Sequence, residues 1–428
     1  MTTMTTPTPT NTTMTTDPLP FEGLKVIDCA SYIAAPAAAV ILGDLGADVI
    51  KLEPPDGDPH RSLYKLLGLG EPASNFVWDL NSRGKRSLVL DLKLAAGQAV
   101  LHRLVAQADV FITNLPLPVR ERLAIDAPTL LALNPRLVYA SMTAYGETGP
   151  EAAKGGFDIT AYWARSGLMD LVRADHSGPP VRPVAGMGDH PSATALFAAI
   201  ATALYRRERS GRGGQVSTSL MANGLWANAV QVQAQLAGEA YPPRLPRSHA
   251  PNPLSNLYRC RDGRWLTLVV LNEVRQLPGL LAALGLAHLA DDPRLTTAAG
   301  RDEHHADVIA LFDAAFIGQD LAHWRALLDA AGITFGVIGT LADLPRDEQM
   351  HQAGALVPYA HRAGLTLSSP IHLADVALRA PGPAPRLGQH NAELLREAGY
   401  TDQQIAGLRS ARAVLDPAPL FSPEEPRP

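Results

Sequence analysis

The sequence predicts an α/β protein with an open parallel sheet of the Rossmann-like kind, followed by a smaller α+β domain. Three observations carry that reading. Short apolar strands alternate with helix-length segments from residue 24 to residue 143. A proline-rich break, YPPRLPRSHAPNPLSN (241–256), interrupts the pattern, and a hairpin signal at Asp262-Gly263 follows it. At 428 residues the chain is long enough for more than one domain.

In order, LKVIDCA (24–30) reads as a strand, Pro36 to Leu45 as a helix and ADVIKLE (47–53) as a second strand. Rossmann dinucleotide folds open in this way, with an acidic residue such as Glu53 near the end of the second strand. The first turn, CASYIAAP, lacks the G-x-G-x-x-G by which backbone approaches a pyrophosphate, which argues against a nicotinamide enzyme. NSRGKRSLVLDLK (81–93) is a basic loop and an alternating strand, and its Arg83, Lys85 and Arg86 are candidates to hold a phosphate. An amphipathic helix (95–108), a strand (109–115), a helix and a strand (137–143) follow, so ligands are expected at the carboxyl ends of the strands. Residues 155–172 read as a helix entered through two glycines. Residues 215–238 read as a strand and a long helix. Beyond the proline break come the hairpin (257–272), helices near 274–285 and 301–316, a strand at 333–339 and the helical segment 385–408.

Composition excludes several classes. A net charge of −5 offers nothing to nucleic acid or to an anionic membrane. Two cysteines, Cys29 and Cys260, support neither a disulfide framework nor a cysteine metal site, and they suit a reducing cytoplasm. No metal site is expected. Residues 1–20 are Thr/Pro-rich without an apolar core and read as a disordered tail, as do residues 411–428. The most apolar helix, 193–205, is too short to cross a bilayer.

The stretch from Pro183 to Val216, PVAGMGDHPSATALFAAIATALYRRERSGRGGQV, turns abruptly from Gly-rich loop into helix. Asp189 and His190 sit at the turn, Pro191 suits a first helical position, and Gly211 ends the helix. Its small and apolar residues predict burial nearly all round. Asp189 is either the cap of this helix or a carboxylate displayed for chemistry, and the segment alone leaves both readings open.

The rest of the chain decides between them. LKVIDCASYIAAPAAAVILGDLGADVIKLEPPDGD, NSRGKRSLVLDLK, DVFITNLPLPVRERL, LNPRLVYASMTAYGETGP, GGFDITAYWARSGLM, GDHPSATALFAAIATALYRRERSGRGGQV and PAPRLGQHNAELLREAGY resemble, in this order, the motifs of the class III CoA-transferase (CaiB/BaiF) family. The resemblance runs from about residue 20 to 410. It implies transfer of CoA from an acyl-CoA donor to a small carboxylic acid, with CoA as substrate and no permanently bound cofactor. It implies an interlocked homodimer whose large CoA-binding domain (21–225 and 336–410) is built from both chain ends around a small domain with linkers (226–335). The family's catalytic aspartate falls at Asp189. Its CoA contacts map to Ile33, Ala34, Leu90 to Lys93, Asn114, Leu115, Arg122, and Gly155, Gly156, Phe157 and Asp158. Arg83, Lys85, Arg86 and Arg122 are expected to form a cationic rim for the phosphates. Pro54 stands where relatives carry a basic residue, and Arg61 or Arg83 is expected to substitute.

Carboxylate attack on a thioester gives an acyl–aspartyl anhydride and CoA thiolate, splitting one exchange into easier steps. Backbone N–H groups of nearby glycines or of the helix N-terminus are expected to hold the oxyanions. Formyl-CoA transferases cover the anhydride with a glycine run, where this chain has RLPRSHAPNPLSN, so another element must exclude water. Three rival readings share the motifs. α-Methylacyl-CoA racemases place a histidine where this chain has Phe157. An intramolecular transferase would move CoA between two carboxyls of one acid, and a non-catalytic CoA-binding protein would need no nucleophile. Arg173, Arg182, Arg244, Arg247 and His249 are candidates to hold a second carboxylate, which leans the reading toward dicarboxylic acids.

Overall fold

Six strands form one all-parallel sheet, and the first five are buried on both faces almost throughout. The strands are β1 (Lys25–Cys29), β2 (Asp48–Glu53), β3 (Arg86–Val89), β4 (Val110–Thr113), β5 (Val138–Thr143) and β6 (Gly214–Ser219). Their order is β3-β2-β1-β4-β5-β6, so the topology reverses between β1 and β4. That switch point is where open α/β sheets bind ligands. The computed structural model describes residues 18–66, 68 and 74–416. Most of the expected terminal tails, residues 1–17 and 417–428, lies outside them.

Side-chain alternation sorts the two faces. Ile27, Ile50, Leu88, Phe111 and Tyr139 point to one face and pack with Val100, Leu101 and Leu130, and with Leu394, Leu395 and Ile405 from the C-terminal helices. Ala34–Asp44 lies beside the helix Asp189–Ser210, which is the longest among the described residues. Alanines at 35, 38 and 39 are fully buried, and such small side chains allow close packing.

Asp189–Ser210 departs from the expectation in two respects. It buries a stripe (Ala193, Leu196, Phe197, Ile200, Leu204) and leaves its opposite side open, because its last turns carry arginines and Glu208. It also begins at Asp189, which places Pro191 third in the helix. Proline is tolerated there because first-turn N–H groups have no intrahelical partner. The expected helix 155–172 is instead a π-helical turn, Asp158–Ala164, and a short helix, Leu168–Leu171. They are separated by Gly167 with φ +87°.

The edge strand β3 is covered by the chain's C-terminal part, which answers the liability of an open edge. His390 N–H donates to Ser87 O (3.1 Å), and Val89 N–H donates to Asn391 Oδ1 (2.8 Å). Val414 forms a bridge to Leu90, and Asp91 N–H donates to Ala413 O (3.0 Å). Residues 411–416, expected to be loose, therefore belong to the fold.

The chain divides into two units, one of residues 1–166, 184–227 and 349–428, the other of residues 167–183 and 228–348. The second unit thus takes residues 167–183 and 336–348, which the sequence reading placed in the large domain. It has its own core, formed by Tyr258, Leu266, Leu280, Phe312, Phe316, Trp324 and Leu328. It carries the antiparallel sheet β7 (Leu257–Arg259), β8 (Trp265–Leu268) and β9 (Phe335–Val337), and the hairpin turns at Gly263 as expected. Among the described residues no helix is long and apolar enough to cross a membrane.

Candidate active site

At the carboxyl end of β1 the chain turns sharply into the first helix through Tyr32, whose φ of +65° is rare for a non-glycine residue. This turn is held on two sides. Asn114, just beyond β4, accepts Ser31 N–H (2.9 Å) and donates to Ser31 O (2.7 Å), tying β1 to β4 at the switch point. Asp58 accepts Tyr32 N–H (3.1 Å) and His60 N–H (2.9 Å). Lys51 in turn holds Asp58 at 2.8 Å.

Beneath the turn lies a buried ionic cluster. Asp28 and Lys51 are register partners on β1 and β2, and both are fully buried. Lys85 Nζ donates at 2.8 Å to each of Asp28 Oδ2, Pro36 O and Asn81 O, using all three of its protons. Arg83 is buried and paired with Asp44 (2.7 Å). Arg86 pairs with Asp48, Glu393 and Glu397. The rim expected of Arg83, Lys85 and Arg86 is therefore corrected: each cation is already spent inside the protein, two of them out of reach of solvent. Arg61, the expected substitute for a missing basic contact, forks onto Glu53 (2.7 Å to each oxygen) and stacks over Trp78 at 3.8 Å.

Asp189 meets a different environment. The preceding loop is fixed by Asp158, at the entry to the π-helical turn. Asp158 Oδ2 accepts Gly186 N–H (2.8 Å) and Gly188 N–H (3.3 Å), while Oδ1 accepts Ile159 N–H (2.7 Å). Gly188 lies so close to Tyr162 that a Cβ there would stand 2.6 Å from the ring, which fixes glycine at this position. Asp189 is the first residue inside its helix, and the cap is Gly188, so capping is not its role. Among the described residues nothing donates a hydrogen bond to its carboxylate. Burial, and then the nearby Asp158 charge, push Asp189 up to about 7.

His190, next in sequence, has Nε2 3.1 Å from Asn81 Oδ1 and Nδ1 3.4 Å from Gly186 O. Burial above all lowers its pKa. Asn81 reaches onward to the buried His60 (3.2 Å).

The other expected positions divide. Ile33 and Ala34 are buried at the β1 turn, and Ile33 packs toward Gly186. Leu90 is 1% exposed and paired to Val414, and Asp158 is spent on the loop; neither side chain is open to a ligand. Lys93, Arg122 and Gly155 are exposed at the carboxyl ends of β3, β4 and β5. Leu115 is half-buried, and Gly156 approaches Ala144 too closely for any side chain. Phe157 is 58% exposed, and its ring meets Tyr32 edge-on at 5.6 Å. In the second unit, Arg247 forks onto Asp313 (3.0 and 2.7 Å), and Arg173 pairs with Asp170. Arg182, Arg244 and His249 are exposed.

The sequence reading missed Asn81, Lys51 and Arg120. Arg120 is 2% exposed, with Nη1 on Glu147 (2.6 Å) and Nε on Leu115 O (2.6 Å). A signal for Lys51 was present: one charged residue inside each of two neighbouring apolar strands, VIDC and VIKLE, marks a buried pair.

The family model of CoA-transferase family III matches residues 21–391. The chain is 31% identical over 399 residues to (R)-2-hydroxy-4-methylpentanoate CoA-transferase of Clostridioides difficile, covering 92% of this chain and 99% of that one. It is also 31% identical over 405 residues to cinnamoyl-CoA:phenyllactate CoA-transferase of Clostridium sporogenes, covering 92% and 97%. A crystal structure of a CaiB/BaiF family protein from Brucella suis superposes with a TM-score of 0.79 at 30% identity, over 89% of this chain and all of that one.

Proposed function

Because this chain belongs to CoA-transferase family III and is a CoA-transferase, we propose that Asp189 is the nucleophile through which CoA passes from an acyl-CoA donor to a free carboxylic acid. One observation carries the reading. Asp189 is the carboxylate at the carboxyl edge of the sheet that is half-buried, held on a clamped loop and free of any hydrogen bond among the described residues.

An Asp189 oxygen attacks the thioester carbonyl, the C–S bond breaks, and CoA leaves as thiolate from a mixed acyl–aspartyl anhydride. The thiolate attacks the Asp189 carbonyl and expels the first acid as carboxylate, leaving an aspartyl-CoA thioester. The incoming carboxylate attacks that thioester, and the returning thiolate takes the new acyl group and frees Asp189. No proton is consumed or released in sum, so the exchange calls for no acid–base partner beside Asp189. Of the two expected sources of oxyanion donors, the glycines Gly186 and Gly188 have their N–H groups engaged by Asp158, which leaves the helix N-terminus. The His190 backbone N–H, second in its helix, has no partner among the described residues and is the donor assigned to that charge.

CoA then lies along the carboxyl edge of the sheet past Ile33, Ala34, Asn114, Leu115, Gly155 and Gly156. Its phosphates meet Lys93 and Arg122, whose side chains have no partner among the described residues. The active assembly is a homodimer with interlocked chains. Exposed apolar side chains at Leu225, Trp226, Val230 and Leu236 support it, Trp226 being 82% exposed.

The test uses wild type, Asp189→Asn and Asp189→Ala, with acyl-CoA followed by hydroxylamine or borohydride. Wild type is expected to be modified on the peptide containing Asp189, and both variants are expected to lose exchange while keeping the fold. Full exchange by Asp189→Asn without a labelled peptide would overturn the assignment.

A further inference from the structure

We propose that the acyl site beside Asp189 is built for a monocarboxylic acid with an apolar, ring-bearing side chain, and that Phe157 is the residue that selects it. The proposal rests on the nucleophilic role of Asp189.

The first ground is electrostatic. A dicarboxylic acid brought to Asp189 would place a second carboxylate in a partly desolvated space, which is costly unless a cation or several donors receive it. Within the unit that carries Asp189, the cations nearest the clamped loop and the β1 turn are already matched. Lys51 is paired with Asp58, Lys85 with Asp28, Arg83 with Asp44 and Arg61 with Glu53. The His190 ring is directed at Asn81 Oδ1 and Gly186 O. Asp158, itself anionic, repels a further negative charge.

The second ground is Phe157. Its side chain stands 58% exposed next to the anchor of the nucleophile's loop, and its backbone is held in place. Its N–H donates to Thr160 Oγ1 (3.0 Å), and Thr160 Oγ1 donates back to Phe157 O (3.0 Å), locking the entry to the π-helical turn. Asp158, the next residue, is bonded to both glycines of the nucleophile's loop. The backbone at Phe157 is therefore fixed relative to that loop, and Tyr32 meets the ring edge-on at an interplanar angle of 88°. Ile33, beside Tyr32 in the β1 turn, brings its Cδ1 close to Gly186 of that loop. A flat apolar group can stack on the open face of Phe157, whereas a carboxylate there would lose hydration without a partner.

This reading is set against the expectation of a dicarboxylic pair, and the test decides between them. The alternative use of the ring, contact with the CoA chain common to every substrate, is separated by the test. Exchange rates with acetyl-CoA as donor are measured for 3-phenylpropanoate, propanoate and succinate, in wild type, Phe157→Ala and Phe157→Leu. Because Phe157 is exposed, neither substitution threatens the fold.

Wild type is expected to prefer 3-phenylpropanoate over succinate by at least tenfold in kcat/KM. Phe157→Ala is expected to lower kcat/KM for 3-phenylpropanoate about tenfold and for propanoate less than about threefold, the scale of one lost aromatic contact. Phe157→Leu is expected to fall between. Succinate as the preferred acid of wild type would overturn the proposal. So would an equal loss for all three acids in Phe157→Ala, which would mean that the ring reads CoA. Either failure leaves trapping on Asp189 intact, whereas loss of that trapping would strike the nucleophile itself.

Discussion

The ionic cluster under the β1 turn and the Asp189 loop lie on the same edge of one sheet, yet they treat charge in opposite ways. In the cluster, Asp28, Lys51, Asp58 and Lys85 are almost completely buried, and every one is matched by an opposite charge or a carbonyl. At the loop, Asp158 is matched by backbone N–H groups, and among the described residues Asp189 has no hydrogen-bond donor and a like charge nearby. Matched charges fix geometry and have no reason to react. The unmatched one holds free energy that a thioester carbonyl can release.

The sharpest way to break the comparison is to unmatch the cluster. Asp28→Ala strands Lys85 and Lys51 with one carboxylate fewer in a space without water. Removing one partner of a buried pair costs about 3–5 kcal/mol. Denaturant unfolding is expected to show that loss, because Asp28 anchors the β1 turn from below. A loss below about 1 kcal/mol would mean that the cluster is not matched as described.

This contrast also marks what was legible in the sequence. Parallel strands, their order along the chain and the Asp262-Gly263 hairpin follow from periodicity and turn chemistry, which are local. The position of Asp189 followed from motif resemblance and from a loop entering a helix. The partner of each charge was not legible. Arg83, Lys85 and Arg86 stand in a basic loop that reads like a phosphate site, and only tertiary structure brings Asp44, Asp28 and Asp48 to them. Asp158 looked like one more ligand contact, because nothing local shows that the Gly186 and Gly188 N–H groups would arrive at its carboxylate. The helix 155–172 failed for a related reason: the clamp needs a π-helical turn and a break at Gly167, and helix periodicity carries no sign of either.

The comparison is sharpened by loosening the clamp. With Asp189 at about 7, the nucleophilic anion forms as pH rises, so kcat/KM is expected to climb through pH 7 and level off near 8. At pH 6 it should be about tenfold below the plateau, since one pH unit changes the ionised fraction by that factor. In Asp158→Asn the amide still accepts from the glycines, but its NH2 now faces the Ile159 N–H. A cost of about 1–3 kcal/mol in stability is expected for that mismatch. The repelling charge is gone as well, so the midpoint of the pH profile moves down, while burial of Asp189 keeps it above the ordinary carboxylate range. The plateau rate is expected to fall on the order of tenfold or more, since the loop loses its register. An unmoved midpoint would mean that Asp158 does not act on Asp189.

The smallest expected effect separates sequence from structure most directly. Arg86 was read as a phosphate ligand, and the structure gives it to Asp48, Glu393 and Glu397, carboxylates that are themselves well exposed. Exposed or half-exposed ion pairs are worth about 0–1 kcal/mol each, because water screens them and their side chains lose freedom. Arg86→Ala is therefore expected to lower stability by about 1 kcal/mol and to leave the apparent KM for acyl-CoA within about twofold of wild type. Arg122→Ala, which removes a cation without a protein partner, is expected to raise that KM and leave stability unchanged. The two variants remove the same charge from the same domain, and what separates them is whether the protein has already answered it. If Arg86→Ala raised the KM as much as Arg122→Ala, a matched charge would be binding ligand, and the division between scaffold and chemistry drawn from the cluster and the loop would not hold.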